Sequence, residues 1–444
     1  MRGDGVYIVV HNTSYRALRS PYFPIETDLL GTSIPINELQ IEVKTADRIA
    51  SGQYVYFYDD LNRLWAKYWI VYAEHIDRQW LLIRAQSDIR MIDGVTLNAV
   101  MYHDEPITDV LDQTMVMQNT AGSVVRYIDY ALDSSLEAAT ITGYFPQQSA
   151  RERLAQVCFV IGAYVKSYFC DGIEIKALDT STALVPLSDT YWKPNLTYRD
   201  LVTAVRVKAY SFAIGTPTTT DEYVEANGVT YIVTPQDFQL SNPDTTSDDP
   251  DNVVAVDKVM IINGDNASAV LARLAEYNFN RGELQLDIID NASYIPGDMV
   301  TAYVDETMLM TGYIESCSFR FGVQARATIK MTELELVDGA TLVIEYRADG
   351  VQIGRSEHYM PVGYAYSIAT AYVDMTVPGH RYIYRPDVAA VTGTMPDEDM
   401  TVTVPCFVAL DLDDEGVLHV ISVDSVTEIS ETVDEETVTI GVIA

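Results

Sequence analysis

The chain has 444 residues, 48% of them apolar and 10% aromatic, which is about three times a typical domain of roughly 150 residues. That leaves room for two to four cores and is too apolar for a disordered chain. Twenty-nine basic side chains against sixty-four acidic ones give a net charge of −35, and a surface of that sign repels phosphate and argues against tight nucleic-acid binding.

The longest nearly unbroken apolar stretch, Val157 to Val165, is half a bilayer span, so no membrane helix is expected. The N-terminus shows no charged and apolar regions of a secretory leader, so none is expected. Four cysteines (Cys158, Cys170, Cys317, Cys406) have neither CxxC spacing nor the density of a disulfide scaffold, and are read as reduced core thiols of a chain made in a cytoplasm. The acidity is graded. Net charge runs −2 over residues 1–100, −6 over 101–200, −12 over 201–336 and −15 over 337–444.

In chain order, the pattern is mostly β with short helices between strands. Residues 37–90 alternate: Leu39, Ile41 and Val43 share a face, followed by strands at Tyr54–Tyr58, Trp65–Tyr72 and Trp80–Arg84. Turns are expected at Asp59–Asn62, His75–Arg78 and Asp93-Gly94. Ser149 and Glu152 have capping-box spacing and open a helix whose stripe is Leu154, Val157, Cys158 and Ile161, ending at Gly162. A hairpin, Ala163–Phe169 and Ile173–Ala177, turns at Asp171-Gly172. Residues 214–252, rich in Thr, Asp, Pro and Asn, read as a long loop excursion. A second helix starts near Asn266 with Ala267, Val270, Leu271 and Leu274 on one side.

A second meander, Gly297 to Thr332, echoes the first. Gly52-x-x-Val55 and Gly297-x-x-Val300 each open a strand, a polar turn follows (Asp305-Glu306 in the second), and the next strand leads into Glu74 or Glu315. A last strand spans Gln324–Met331. Two similar antiparallel units in one chain suggest duplication.

Four segments in this order, Ile36–Val43, Ser149–Ala177, Leu196–Tyr210 (LTYRDLVTAVRVKAY) and Asn266–Thr332 with Pro296-Gly297-Asp298, resemble the central hub proteins of bacteriophage tail tips and baseplates and of related phage-like particles. The resemblance spans roughly residues 30–336. It implies an α+β, mainly β fold: a tube-like β-barrel domain at 1–98, an α/β connecting domain at 99–200, and a second tube-like barrel at 201–336 containing the 214–252 excursion. It also implies a homotrimer whose six barrels make a pseudo-sixfold ring. The implied partners are a tail tube or distal tail protein, a tape measure protein and other tip, spike or baseplate proteins, with genome DNA passing unbound. The implied location is the virion tail tip or baseplate.

Residues 337–404 are similar to mucin-binding-protein-like repeats of bacterial surface proteins, on Val343-Ile344-Glu345-Tyr346, Asp349-Gly350, Gly363-Tyr364-Ala365-Tyr366 and the run Gly393 to Val404. The family's closing tyrosine is absent, since Val404-Pro405 stands there. Residues 405–444 hold ten acidic residues and no Lys or Arg, yet keep alternation at Val417–Val423 and Thr437–Val442, which suits a β extension.

Catalytic chemistry has little to stand on. The six histidines (His11, His75, His103, His358, His380, His419) form no HxH, HxxxH or HExxH pair, so zinc spacing is absent and no metal or cofactor is expected. His103-Asp104-Glu105 before Pro106 reads as a solvated turn. Cys158 lies on a helix's apolar stripe, where a nucleophile would need a positioned histidine. No GxSxG, Walker or dinucleotide loop occurs, so no catalytic residue is assigned and the chain is read as a non-enzyme. Three readings compete: a structural hub that closes or gates the tube, a receptor- or glycan-binding tip protein acting through 341–444, and a tail-associated cell-wall hydrolase.

Overall fold

The structure is a computed structural model. It describes residues 6–336 except 60–61, 119–123, 179–184, 187–190, 247, 289–294, 305–307 and 321–323, and beyond 336 only strands lying between 340 and 443. By internal contacts the chain divides into residues 1–302 with 310–334, and residues 303–309 with 335–444.

The first meander comprises β1 (Tyr7–Val10), β2 (Thr13–Tyr15), β3 (Leu18–Glu26), β4 (Glu38–Lys44), β5 (Tyr54–Tyr58), β6 (Leu64–His75) and β7 (Trp80–Gln86), followed by helix α1 (Ile89–Asp93). Period-two alternation buries Leu39, Ile41 and Val43 on one face, as expected. A connecting segment follows: β8 (Val100–Pro106), α2 (Ile107–Thr114), β9 (Thr140–Phe145), α3 (Ala150–Ile161), β10 (Ala163–Lys166) and β11 (Ile173–Ala177). The Ser149 hydroxyl accepts from the Glu152 N–H and the Glu152 carboxylate accepts from the Ser149 N–H, completing the expected capping box, and Gly162 closes α3 in the left-handed region.

Next come β12 (Tyr191–Tyr198), β13 (Ala204–Ile214), β14 (Glu222–Ala226), β15 (Val229–Ser241), β16 (Val253–Val256), α4 (Ala267–Phe279), β17 (Gly282–Ile288), β18 (Met299–Tyr303), β19 (Met308–Arg320) and β20 (Gln324–Leu336). Residues 214–252 are not the single long loop expected from their composition; they contain two strands. β14 and β15 form a two-residue hairpin in register Ala226↔Val229, and β15 pairs with β13 along eleven residues. The turn is Asn227-Gly228, both at positive φ, which matches the twist of a right-handed hairpin. Its β-branched residues (Val229, Thr230, Ile232, Val233) outweigh the Asp- and Pro-rich flanks. A four-stranded sheet, β14-β15-β13-β16, results, and α4 packs on it.

The main sheet has thirteen strands in the order β12-β17-β20-β19-β3-β4-β7-β6-β5-β1-β2, with β18 beside β19 and a short strand, Val185–Pro186, beside β18. Among the described residues this order is an open path. Within it, β3-β4-β7-β6-β5 and β12-β17-β20-β19-β18 are the same five-strand arrangement. The repeat extends to single hydrogen bonds. The Gly52 N–H donates to the Ile70 carbonyl at 2.9 Å and Ile70 N–H to the Gln53 carbonyl at 2.8 Å. Likewise the Gly297 N–H donates to the Ile314 carbonyl at 2.9 Å and Ile314 N–H to the Asp298 carbonyl at 3.0 Å. Both glycines have positive φ (86° and 97°). Ile70 thus matches Ile314, so Val71, not Glu74, is the counterpart of Glu315, three residues from the match the sequence suggested. The Asp305-Glu306 turn lies outside the described residues.

The largest core surrounds α3, with Leu154, Val157, Cys158, Val110, Leu111, Val205, Val207, Val270 and Leu274 all buried. It joins the connecting segment to the four-stranded sheet and α4. In the 337–404 segment, strands Ala340–Ala348 and Val351–Met360 pair antiparallel, Ala371–Asp374 runs parallel to the first, and Val391–Thr394 pairs with Thr401–Val404. The Asp349-Gly350 and Gly363–Tyr366 features lie outside the described residues. Further on, Ala409–Leu412 pairs with Leu418–Ile421 and Val426–Val433 with Glu436–Ile443.

Candidate functional site: the joint between the repeats

The two repeats meet where β19 accepts β3. Ser316, Cys317, Ser318 and Phe319 lie antiparallel to Glu26, Ile25, Pro24 and Phe23. The Thr27 N–H extends the ladder by donating to the Glu315 carbonyl at 2.9 Å. Alternation sends Phe23 and Phe319 to one face, where they meet Phe57, Trp65 and Phe169. Trp65 and Phe319 have ring centroids 5.2 Å apart, and Phe23 and Phe57 stand edge-to-face at 5.9 Å. Such pairs add about 0.5–1.5 kcal/mol each beyond area burial. The Tyr168 hydroxyl donates to the Pro296 carbonyl at 2.7 Å, tying the connecting segment to the second repeat's opening turn.

Beside the ladder lies a polar cluster from β17, β19, β20, α4 and the residue after β12. Arg199 donates to Glu283 at 3.2 Å, to Glu315 at 2.9 Å and to the Tyr277 hydroxyl at 3.2 Å. The Tyr277 hydroxyl donates to Glu315, and Lys330, 3% exposed, donates to the Asn280 carbonyl while its ammonium stands 5.0 Å from the Tyr277 ring centroid. Burial, with the nearby Arg199 charge adding to it, pulls Lys330 down to about 8. Burial and Glu315 push Tyr277 up. Burial alone would lower Arg199, but Tyr277, Glu315 and Glu283 hold it above its ordinary value. A cavity of about 170 Å³ adjoins this cluster, lined in part by Leu29, Leu30, Tyr313, Lys330 and Met331. A more polar cleft of about 420 Å³ lies on the Glu26, Asp28 and Glu283 side. The Asp28 carboxylate is engaged by Leu30 N–H, Thr32 and Ser33 within its own turn. Glu283 and Glu315 share one guanidinium, so this arrangement works as a clamp between strands and helix.

The residues singled out in the sequence lie apart from one another. Cys158 is fully buried in the α3 core, and burial pushes its thiol up to about 12; Cys170 is likewise pushed up to about 12. Both are protonated at neutral pH. Cys406 and His380 lie outside the described residues. His103-Asp104-Glu105 is not a free turn: it is a bulge in β8, where pairing with β9 shifts between Ile141 and Gly143 and Asp104 adopts φ 50°. The Asp104 carboxylate accepts from the Thr142 hydroxyl at 2.8 Å. Among the described residues, no group of three or more His, Cys, Asp or Glu side chains is placed to hold a metal ion, and no helix is long and apolar enough to cross a membrane. Sequence reasoning missed the Arg199–Tyr277–Glu315–Lys330 cluster. Its members are spread over 130 positions with no spacing signal.

No protein-family model matches the sequence, and no curated protein matches it. A solved structure shares the fold, and two more are similar to this chain. The tail protein from Neisseria meningitidis MC58 aligns with a TM-score of 0.50 at 12% identity, over 73% of this chain and 96% of its own. The 43 kDa tail protein of prophage MuSo2 from Shewanella oneidensis gives 0.49 at 11% identity over 74% and 98%, and prophage tail protein gp18 from Listeria monocytogenes EGD-e gives 0.47 at 12% over 74% and 95%.

Proposed function

We propose that this chain is the central hub of a phage or phage-like tail tip or baseplate. In this reading three copies, each with two tail-tube-like units, adapt a sixfold tube to a threefold tip and close or gate its channel. The observation that carries it is the repeated five-strand order with matching Gly52–Ile70 and Gly297–Ile314 contacts. A sixfold rim needs six similar faces, and three copies of a duplicated chain supply them. The fold shared with the Neisseria tail protein supports the same reading.

The partners in this reading are a tail tube or distal tail protein above, a tape measure protein within, and tip, spike or baseplate proteins below, all in the virion. The role is structural and not enzymatic. Part of the −12 carried by residues 201–336 faces the channel, where like charge keeps passing DNA from adhering. Residues 337–444 form a mucin-binding-protein-like β module and an extension at the tip. The test is mass photometry of the purified chain, with electron microscopy of particles labelled on it. A threefold density at the tube end is expected, and a monomer or a true hexamer in the particle would sink the proposal.

A further inference from the structure

Among the described residues the repeats are joined in one direction only. β19 runs past Ile314 with β20 on one side, and β3 fills its other edge. β6 is the counterpart of β19. Past Ile70 it keeps β7, from Tyr72↔Arg84 to His75↔Leu81, but among the described residues no strand lies on its other side. β12 is the counterpart of β3. Among the described residues it ends the sheet and pairs with β17 alone. One filled joint and the two halves of an unfilled joint therefore stand on one chain.

The ladders set the correspondence residue by residue. Ile70 matches Ile314, which puts Ala73 at the position of Cys317. Leu39 lies opposite Ala85 as Leu284 lies opposite Ile329, and all four are buried core positions. Leu196 pairs with Leu284, while the Tyr22↔Gln40 pairing carries Phe23 opposite Leu39, so Leu196 matches Phe23 and Tyr198 matches Ile25. Exposure separates the filled joint from the unfilled one. Ile25 is 0% exposed whereas its match Tyr198 is 54% exposed, and Cys317 is buried whereas its match Ala73 is half-buried, next to the exposed Val71 and Tyr72. The Arg199 N–H donates to the Arg281 carbonyl on the β17 side, so by alternation the Tyr198 N–H faces the open edge. Bare edges of this kind template pairing with another chain.

We propose that β6 of one copy pairs antiparallel with β12 of the next, Ala73 opposite Tyr198, so that Tyr72–His75 meets Leu196–Arg199. The occupant is a second copy because the same two strand types already pair this way inside the chain. Charge agrees: Glu74 lies on one edge, and Arg281, its guanidinium carbon 5.6 Å from the Tyr198 ring centroid, on the other. Internal and intermolecular joints then alternate, six joints for three chains. The inference rests on the trimeric reading above.

The test uses the full chain with Ala73→Cys and Tyr198→Cys together, oxidised or bridged by a short thiol reagent, in solution and in particles. A ladder of linked chains closing at three copies, at least tenfold above either single variant, is expected. Trimers by mass photometry with linkage at the single-variant level would overturn the edge pairing and leave the trimeric reading standing. A ladder running past three copies would keep the pairing and overturn that reading, and a monomer in both settings would overturn both. Tyr198→Pro, which removes the outward N–H and the tyrosine ring, is expected to weaken trimer formation at least tenfold more than Tyr198→Ala, which removes the ring alone, with an unchanged monomer circular dichroism spectrum in both; equal trimer formation by the two variants would overturn the pairing.

Discussion

Gly162 and Arg273 occupy one another's space: a Cβ on Gly162 would stand 3.1 Å from the Arg273 guanidinium carbon. Through that gap Arg273, on α4, donates to the Phe159 and Val160 carbonyls at 2.9 and 2.8 Å, satisfying the end of α3. Gly162 itself sits at φ 74°. The glycine is thus required twice, by its own backbone and by a neighbour 111 positions away.

Gly162→Ala is therefore expected to cost about 1 kcal/mol from the left-handed backbone, plus the displacement of Arg273. Arg273→Ala should cost roughly 1–3 kcal/mol by leaving two carbonyls unpaired. Because both act on one contact, the double variant should cost less than the sum in a double-mutant cycle of chemical denaturation. Additive values would show that the two residues act independently.

The matched glycines of the repeats should respond unequally. At Gly52 an added Cβ meets only the Trp69 ring at 4.0 Å, whereas at Gly297 it would stand 2.4 Å from the Tyr164 hydroxyl. Gly52→Ala should cost about 1 kcal/mol, from its φ alone. Gly297→Ala should lower thermal stability further, and Tyr164→Leu should recover part of that loss. Equal effects at the two glycines would contradict the packing described.

Lys330 gives a pH signature. Its folded value near 8 lies below the unfolded one, so the folded state binds fewer protons between about pH 8 and 10.5. Stability should rise with pH through that window, by up to about 3 kcal/mol, as a cost present below pH 8 is relieved. The raised Tyr277 acts oppositely above pH 10, where only the unfolded tyrosine ionises freely. Lys330→Met should flatten the rise in urea titrations followed between pH 7.5 and 9.5. A wild-type curve as flat as the variant's would contradict the buried charge.

On the proposed hub reading, a chain ending after Val337 should still form the trimeric ring. Repeat joints, polar clamp and α3 core all lie before that residue. The expected outcome is a trimer by mass photometry that joins the tube, in particles that leak or fail to infect. Loss of trimers would move the boundary, and full infectivity would make the C-terminal segment dispensable.

Local features were legible because neighbouring residues carry them. The Ser149–Glu152 box, the left-handed Gly162, the alternating faces of β4 and the stripe of α4 each depend on contacts a few positions apart. The Asn227-Gly228 hairpin was equally local and went unread, since the Asp and Pro content of its flanks outweighed a two-residue turn signal. The echo of Gly52 and Gly297 was visible too, but its alignment was not: strand pairing matches Ile70 with Ile314, where sequence similarity favoured Glu74 and Glu315.

By itself the sequence determined a mainly β, strongly acidic chain with a duplicated meander and one helix, α3, with a capping box at its start. Periodicity and capping act within a few residues, so one strand of letters suffices to express them. Tertiary structure alone decided that residues 23–26 pair with 316–319, that Arg199, Tyr277, Glu315 and Lys330 converge, and that β6 and β12 have open edges among the described residues. Those pairings join positions far apart in sequence through backbone groups that every residue shares, so no residue type marks them, and only the folded sheet brings the edges together.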